Sequence, residues 1–237
     1  MDNVGDFISF FISDFVFLPE QEQKRIAKTS IIDILALMLS LDRQRLETAL
    51  GLLGELLAAG KKDAFHLVVC GGSALIAQGV VSRATQDVDV LAQRNWDHEI
   101  QRVHPLPPVL AEAVRQVADE LDLPENWLNS AASFHFPDFH ALPESFWTDL
   151  ETRDYGRWLQ VAFVGRSGQI LLKLYASLNR TESRDFEDLK ALAPDARETE
   201  DALRWVLREI PGLTHRERLP ELVTYLGHAG LDERFQK

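Results

Sequence analysis

The 237-residue chain is 46% hydrophobic and 26% charged, the balance of an ordinary globular protein with one core and room for a helical annex. Its 37 acidic against 25 basic side chains give a formal charge of -12, which repels polyanions at long range and excludes affinity for bulk nucleic acid without a local basic patch. The single cysteine, Cys70, excludes an intrachain disulfide framework, speaks against structural zinc and points to a reducing cytoplasm.

The apolar stretch at residues 7–18 is broken by Asp14, falls short of the roughly 20 residues that span a bilayer, and lacks a basic leading region. Neither a signal peptide nor a membrane anchor is expected. Apolar residues recur at three and four positions over 31–41 and again over 46–57, predicting two helices separated near Asp42. Met38 would make a conventional start, so residues 1–37 are either a mis-assigned extension or a genuine helical cap or dimerisation arm.

Ala59-Gly60-Lys61-Lys62 ends a helix, and residues 66–70 form a short β-rich apolar run of the kind buried in a sheet. Gly71-Gly72-Ser73 comes next as a turn, with helical composition from Ala74 until Gly79. Residues 87–91 alternate polar with apolar, as a half-buried strand does. Pro107 and Pro108 lead into a helix over 109–121, whereas 123–146, rich in Pro, His, Phe and Trp, reads as irregular. A strand over 158–164 is closed by Gly165, and helices are expected over 169–178, 182–192, 198–209 and 219–226. The chain shows no internal repeat. Together these elements predict an α+β fold: N-terminal helices over 1–60, a core with a small mixed sheet flanked by helices over 61–165, and a helical C-terminal part over 166–237.

Alternate side chains of a strand share a face, so Asp87 and Asp89 project together and repel unless a cation sits between them. Hard oxygen ligands of this kind suit Mg²⁺ or Mn²⁺, with phosphates and water completing the shell; the other reading is a solvated strand edge. Gly71 and Gly72 let backbone approach a ligand, and the helix after them offers free N–H groups to phosphate. Ser73 either adds a hydroxyl donor or caps that helix. Cys70 reads as a small core residue. His135 and His140 flank Pro137 and Asp138 in what reads as a surface turn, with no role assigned. Trp127, Phe134, Phe136, Phe139, Trp147 and Trp158 either stack a base or pack the second half, packing being the expectation.

Val69-Cys70-Gly71-Gly72-Ser73-Ala74-Leu75, then Thr85-Gln86-Asp87-Val88-Asp89-Val90, resembles the signature of the polymerase-beta-like nucleotidyltransferase superfamily. With Arg83-Ala84-Thr85 before the acids, it is most similar to bacterial nucleotidyltransferase-like proteins, some related to toxin-antitoxin nucleotidyltransferases. Leu171-Leu172-Lys173-Leu174-Tyr175-Ala176, Arg180 and Arg184-Asp185-Phe186-Glu187-Asp188-Leu189 resemble the helical segment of those relatives, so the likeness spans residues 65–192.

The resemblance implies metal-dependent transfer of a nucleoside monophosphate from a nucleoside triphosphate to an acceptor hydroxyl on RNA, protein or a small molecule. It implies nucleotide binding by Gly71, Gly72, Ser73, Lys173, Arg180 and Asp185, with Lys173 at the triphosphate and Arg180 or Arg184 in support. A cation there would offset charge on the leaving pyrophosphate. The alternatives are a solvated Lys173 and an ion-pair network of Asp185 and Asp188 with Arg180 or Arg184.

One departure from the superfamily pattern stands out. Its third carboxylate comes from a later strand, where this chain offers only Gln160, with Asp154 just before. A weak or inactive binding module with an antitoxin-type protein partner is therefore the second reading. A helical regulatory protein with no sheet over 67–91 is the third.

Overall fold

In the computed structural model, the described residues are 40–60, 64–95, 99–135, 138–139, 141–179, 183–209 and 216–235. The expectations for residues 1–37 and for most of the helix over 31–41 lie outside them. Residues from Ser40 onward form a single unit.

Helix α1 (Arg43–Gly60) begins where the Asp42 carboxylate accepts from the Arg45 N–H at 2.8 Å, a side-chain cap on an otherwise orphan donor. Its recurring Leu46, Ala49, Leu50, Leu53 and Leu57 are buried, which is the reason for the three-four spacing. The same face carries Gly54, where an added Cβ would sit 1.8 Å from the carbonyl oxygen of Tyr155. Gly54→Ala should therefore cost about 3 kcal/mol through overpacking, read as a lowered urea midpoint; an unchanged midpoint would contradict this contact.

The sheet is built on β1 (Phe65–Cys70), which runs parallel to β6 (Leu159–Val164) and antiparallel to β2 (Val88–Arg94). Strand β5 (Leu150–Asp154) closes one side against β6. On the other side β2 receives β3 (Ile100–Gln101) antiparallel and β4 (Leu128–Asn129) parallel. The order is β3-β2-β1-β6-β5, with β4 also on β2. This mixed sheet with helices on both faces is the α+β fold expected. Adjacent β1 and β2 remove the reading of a purely helical regulator.

Leu67, Val69, Val88, Val90, Val161 and Phe163 face one layer, with α1 and α3 (Pro108–Glu120). Val68, Cys70, Leu91, Ala162 and Val164 face the other, with α6 (Arg166–Asn179), α7 (Ser183–Leu192) and α8 (Ala196–Glu209). Helix α9 (Leu219–Tyr225) adds Leu219, Leu222 and Val223 to that layer. Among the described residues no helix is long and apolar enough to cross a membrane.

Residues 123–146 are not irregular throughout, as their composition suggested. They hold β4, α4 (Ala131–His135) and α5 (Glu144–Thr148). Tertiary contacts fix these short pieces: the Val88 N–H donates to the Trp127 carbonyl at 2.6 Å, and the Trp127 indole N–H donates to the Val114 carbonyl at 2.9 Å. Strand β5 was also unanticipated.

Candidate functional site

Strand β1 ends at Cys70, opposite Asp89 of β2. The expected Gly-Gly-Ser turn is instead the first turn of a helix, α2 (Gly71–Ala77), whose start no side chain caps. Gly71 has φ +73°, a left-handed conformation that strains any L side chain. A Cβ there would also lie 3.0 Å from Asp89 Oδ2. A Cβ on Gly72 would lie 3.1 Å from Thr85 Oγ1 and 3.2 Å from Arg83 Nη2. The two glycines thus admit the chain's own Asp89, Thr85 and Arg83 to the bend. Ser73 is buried, and its hydroxyl donates to the Cys70 carbonyl at 3.2 Å, so that hydroxyl is taken up within the bend.

Asp87 and Asp89 are half-buried and alternate with fully buried Val88 and Val90, which puts both carboxylates on one side of β2. Asn129 of β4 stands opposite Asp89 and donates from Nδ2 to Asp87 Oδ2 at 3.4 Å, while its Oδ1 accepts from the Ala131 N–H at 2.9 Å. No sequence signal marked Asn129, because a two-residue strand has no periodicity to read.

Neither candidate for a third acid joins them. Gln160 donates to Asp154 Oδ1 at 2.8 Å, and both lie in register with His66, four residues along β1 from Cys70 and so about 13 Å away. Among the described residues no group of three or more His, Cys, Asp or Glu is set to hold a metal. Two carboxylates do fit an ion such as Mg²⁺, which takes its remaining ligands from phosphates and water.

A charged cluster adjoins the bend. Lys173 of α6 is 9% exposed and pairs with Asp185 at 2.9 Å and Asp188 at 2.7 Å, both acids 1% exposed. Asp188 also accepts from Arg83, whose Nη2 lies 2.8 Å from each carboxylate oxygen and whose Nε lies 3.2 Å from Oδ1, and Arg83 keeps 28% exposure. Lys173 is therefore no solvated helix position: it pairs with both Asp185 and Asp188, and Asp188 pairs with Arg83 as well. Arg184 is exposed on α7, and Arg180 lies outside the described residues. Burial alone would push the Lys173 ammonium down, but Asp185 and Asp188 outweigh it and hold it above the ordinary lysine value.

Burial, then Asp89, pushes the Cys70 thiol well above its usual range; Asp87 adds to this and Lys173 opposes it. Cys70 should accordingly resist thiol reagents at pH 8 in the folded chain and react on unfolding; rapid labelling of native protein would contradict its burial. Of the clustered aromatics, Trp127 and Phe139 are buried, Trp147 and Trp158 partly so, and Phe134 stays exposed. Phe136, His140 and the side chain of His135 lie outside the described residues.

A family model described as a nucleotidyltransferase of unknown function, DUF6036, matches residues 46–194. The chain belongs to this family. The DUF6036 span runs from within α1 to just past the end of α7, and so contains the glycine bend, Asp87, Asp89, Asn129 and the whole cluster of Arg83, Lys173, Asp185 and Asp188. No curated protein and no solved structure matches the chain.

Proposed function

We propose that the protein transfers a nucleoside monophosphate from a nucleoside triphosphate to an acceptor hydroxyl, with Mg²⁺ or Mn²⁺ held by Asp87 and Asp89. One observation carries this: Asp89 Oδ2 lies 3.0 Å from the Cβ position of Gly71, so paired acids and a glycine bend with an uncapped helix start share one spot. Membership of a nucleotidyltransferase family supports the same class. When bound, the metal would screen charge between the acids and the α-phosphate.

The chain's own residues do the rest. Backbone N–H groups of Gly71, Gly72 and Ser73 receive phosphate oxygens. Arg83, pressed against Gly72 and partly exposed, offsets charge on the leaving pyrophosphate. Lys173 acts as a positioning residue: with Asp185 it fixes Asp188, which holds the Arg83 fork. Exposed Arg184 is the remaining secondary cation. The acceptor oxygen bonds to the α-phosphorus, the bond to the β-phosphate bridging oxygen breaks, pyrophosphate leaves, and the hydroxyl proton passes to water.

The second reading, a catalytically weak or inactive binding module such as a toxin-antitoxin partner, is favoured by the absence of a third acid beside Asp87 and Asp89 among the described residues. Incubation with each α-labelled nucleoside triphosphate and Mg²⁺ separates the two. Label transferred to RNA, protein or a small acceptor supports the enzyme, binding with no transfer supports a nucleotide-binding module, and no binding of any triphosphate rejects the enzyme and leaves the module with its protein partner alone.

A further inference from the structure

We propose that Asn129 is a positioning residue that aims the Asp87 carboxylate at the cation, an assignment that rests on the nucleotidyl-transfer reading above. Asp89 stands between two paired neighbours: Cys70 of β1, which leads into the glycine bend, and Asn129 of β4. Adjacent strands lie about 4.8 Å apart, and residues paired across them project to the same side of the sheet. Asn129 is therefore the next side chain along the row that holds the acids, on the side away from the bend. Its amide reaches Asp87, with Nδ2 3.4 Å from Asp87 Oδ2.

The orientation of that amide follows from its other contact. Oδ1 accepts from the Ala131 N–H at 2.9 Å, and turning the amide over would set its NH₂ against that N–H, donor against donor. What faces Asp87 is thus the donor end. At 3.4 Å the contact is long for an N–H···O bond, so it directs the carboxylate more than it neutralises it. Being uncharged, it leaves the full charge of both acids to a divalent cation, whereas a carboxylate in its place would add repulsion to the pair.

Asn129 is itself held from either side. Leu128 before it and Ser130 after it are buried, and Ser130 Oγ bonds His104 Nδ1 at 2.9 Å. Buried Trp127 accepts from the Val88 N–H at 2.6 Å and donates its indole N–H to the Val114 carbonyl at 2.9 Å. Val88, the residue next to Asp87, is thus tied to the same segment, and the amide keeps its aim with little ordering left to do when a ligand arrives. Outer partners that orient a ligating carboxylate govern metal affinity, and losing one costs about 10–100-fold.

The test separates this donor from the turn that Asn129 also makes with Ala131. Asn129→Ser keeps an oxygen that accepts from the Ala131 N–H on a side chain too short to reach Asp87, and Asn129→Ala removes both contacts. Mn²⁺ binding to the full chain is measured by calorimetry, alone and with whichever of ATP, GTP, CTP and UTP the unchanged protein binds most tightly, and urea denaturation reads the fold. Asn129→Ser is expected to bind Mn²⁺ about tenfold more weakly at an unchanged urea midpoint, and Asn129→Ala to show the same loss at a lower midpoint. Native Mn²⁺ affinity in Asn129→Ser overturns the positioning role and leaves the transfer reading standing. Weakened affinity in Asn129→Ser that comes with a matching fall in midpoint also overturns it, reducing Asn129 to a structural turn. An unchanged protein that takes up Mn²⁺ neither alone nor with any of the four triphosphates ends both readings.

Discussion

Asp87→Ala combined with Asp89→Ala is expected to abolish metal-dependent nucleotide binding, lowering affinity on the order of 100-fold or more while the fold persists. Both carboxylates lie on one side of β2 beside the bend at Gly71, so in the proposed site every bridge between cation and phosphate runs through them. Neither acid is buried deeply enough for its loss to open the core, and the supporting pair register of Cys70 with Asp89 is a backbone property. Calorimetry with and without Mg²⁺ reads the affinity, and circular dichroism the fold. A single Asp89→Asn change, which keeps shape and removes charge, should show most of the loss. Undiminished Mg²⁺-dependent binding in the double variant would remove the site from consideration.

Asp188→Ala should be the most destabilising change in the charged cluster, by about 3–5 kcal/mol. One carboxylate, 1% exposed, serves Lys173 at 2.7 Å and Arg83 at 2.8 Å; without it a nearly buried ammonium keeps Asp185 and the guanidinium loses its bonds from Nη2 and Nε. A folded domain holds only about 5–15 kcal/mol in total, so the variant would sit near the edge of folding. Asp188→Asn keeps the volume and should lose less, since its amide still accepts from one cation. Urea denaturation measures all three proteins, and a loss under about 1 kcal/mol for Asp188→Ala would contradict the shared pairing.

The sequence was legible where one physical rule dominates a stretch. The run Leu67 to Cys70 is buried on both faces and reads as apolar; from Asp87 to Val90 half-buried acids alternate with buried valines; Leu46 to Leu57 repeats at helical spacing because α1 buries one stripe. It was illegible where distant contacts decide. Strand β5, Leu-Glu-Thr-Arg-Asp, is a polar edge with little burial to betray it. Helices α4 and α5 have five residues each, too few for a period, and β4 has two.

At the site the acids and the bend could be proposed from local pattern, whereas Arg83 could not be assigned a role. Its partner Asp188 lies 105 positions away, and nothing near Arg83 in sequence announces it. The same holds for Asn129, which meets Asp87 only because β4 docks parallel to β2.

The shared carboxylate of Asp188 also sets how far the chain can be shortened. A fragment stopping after β6 would retain every strand, both glycines and Asp87 and Asp89, yet strip the Arg83 guanidinium of its counter-ion and leave the sheet face around Cys70 uncovered. The smallest excisable piece that keeps the arrangement whole must reach through α7, close to the boundary at which the DUF6036 match itself stops.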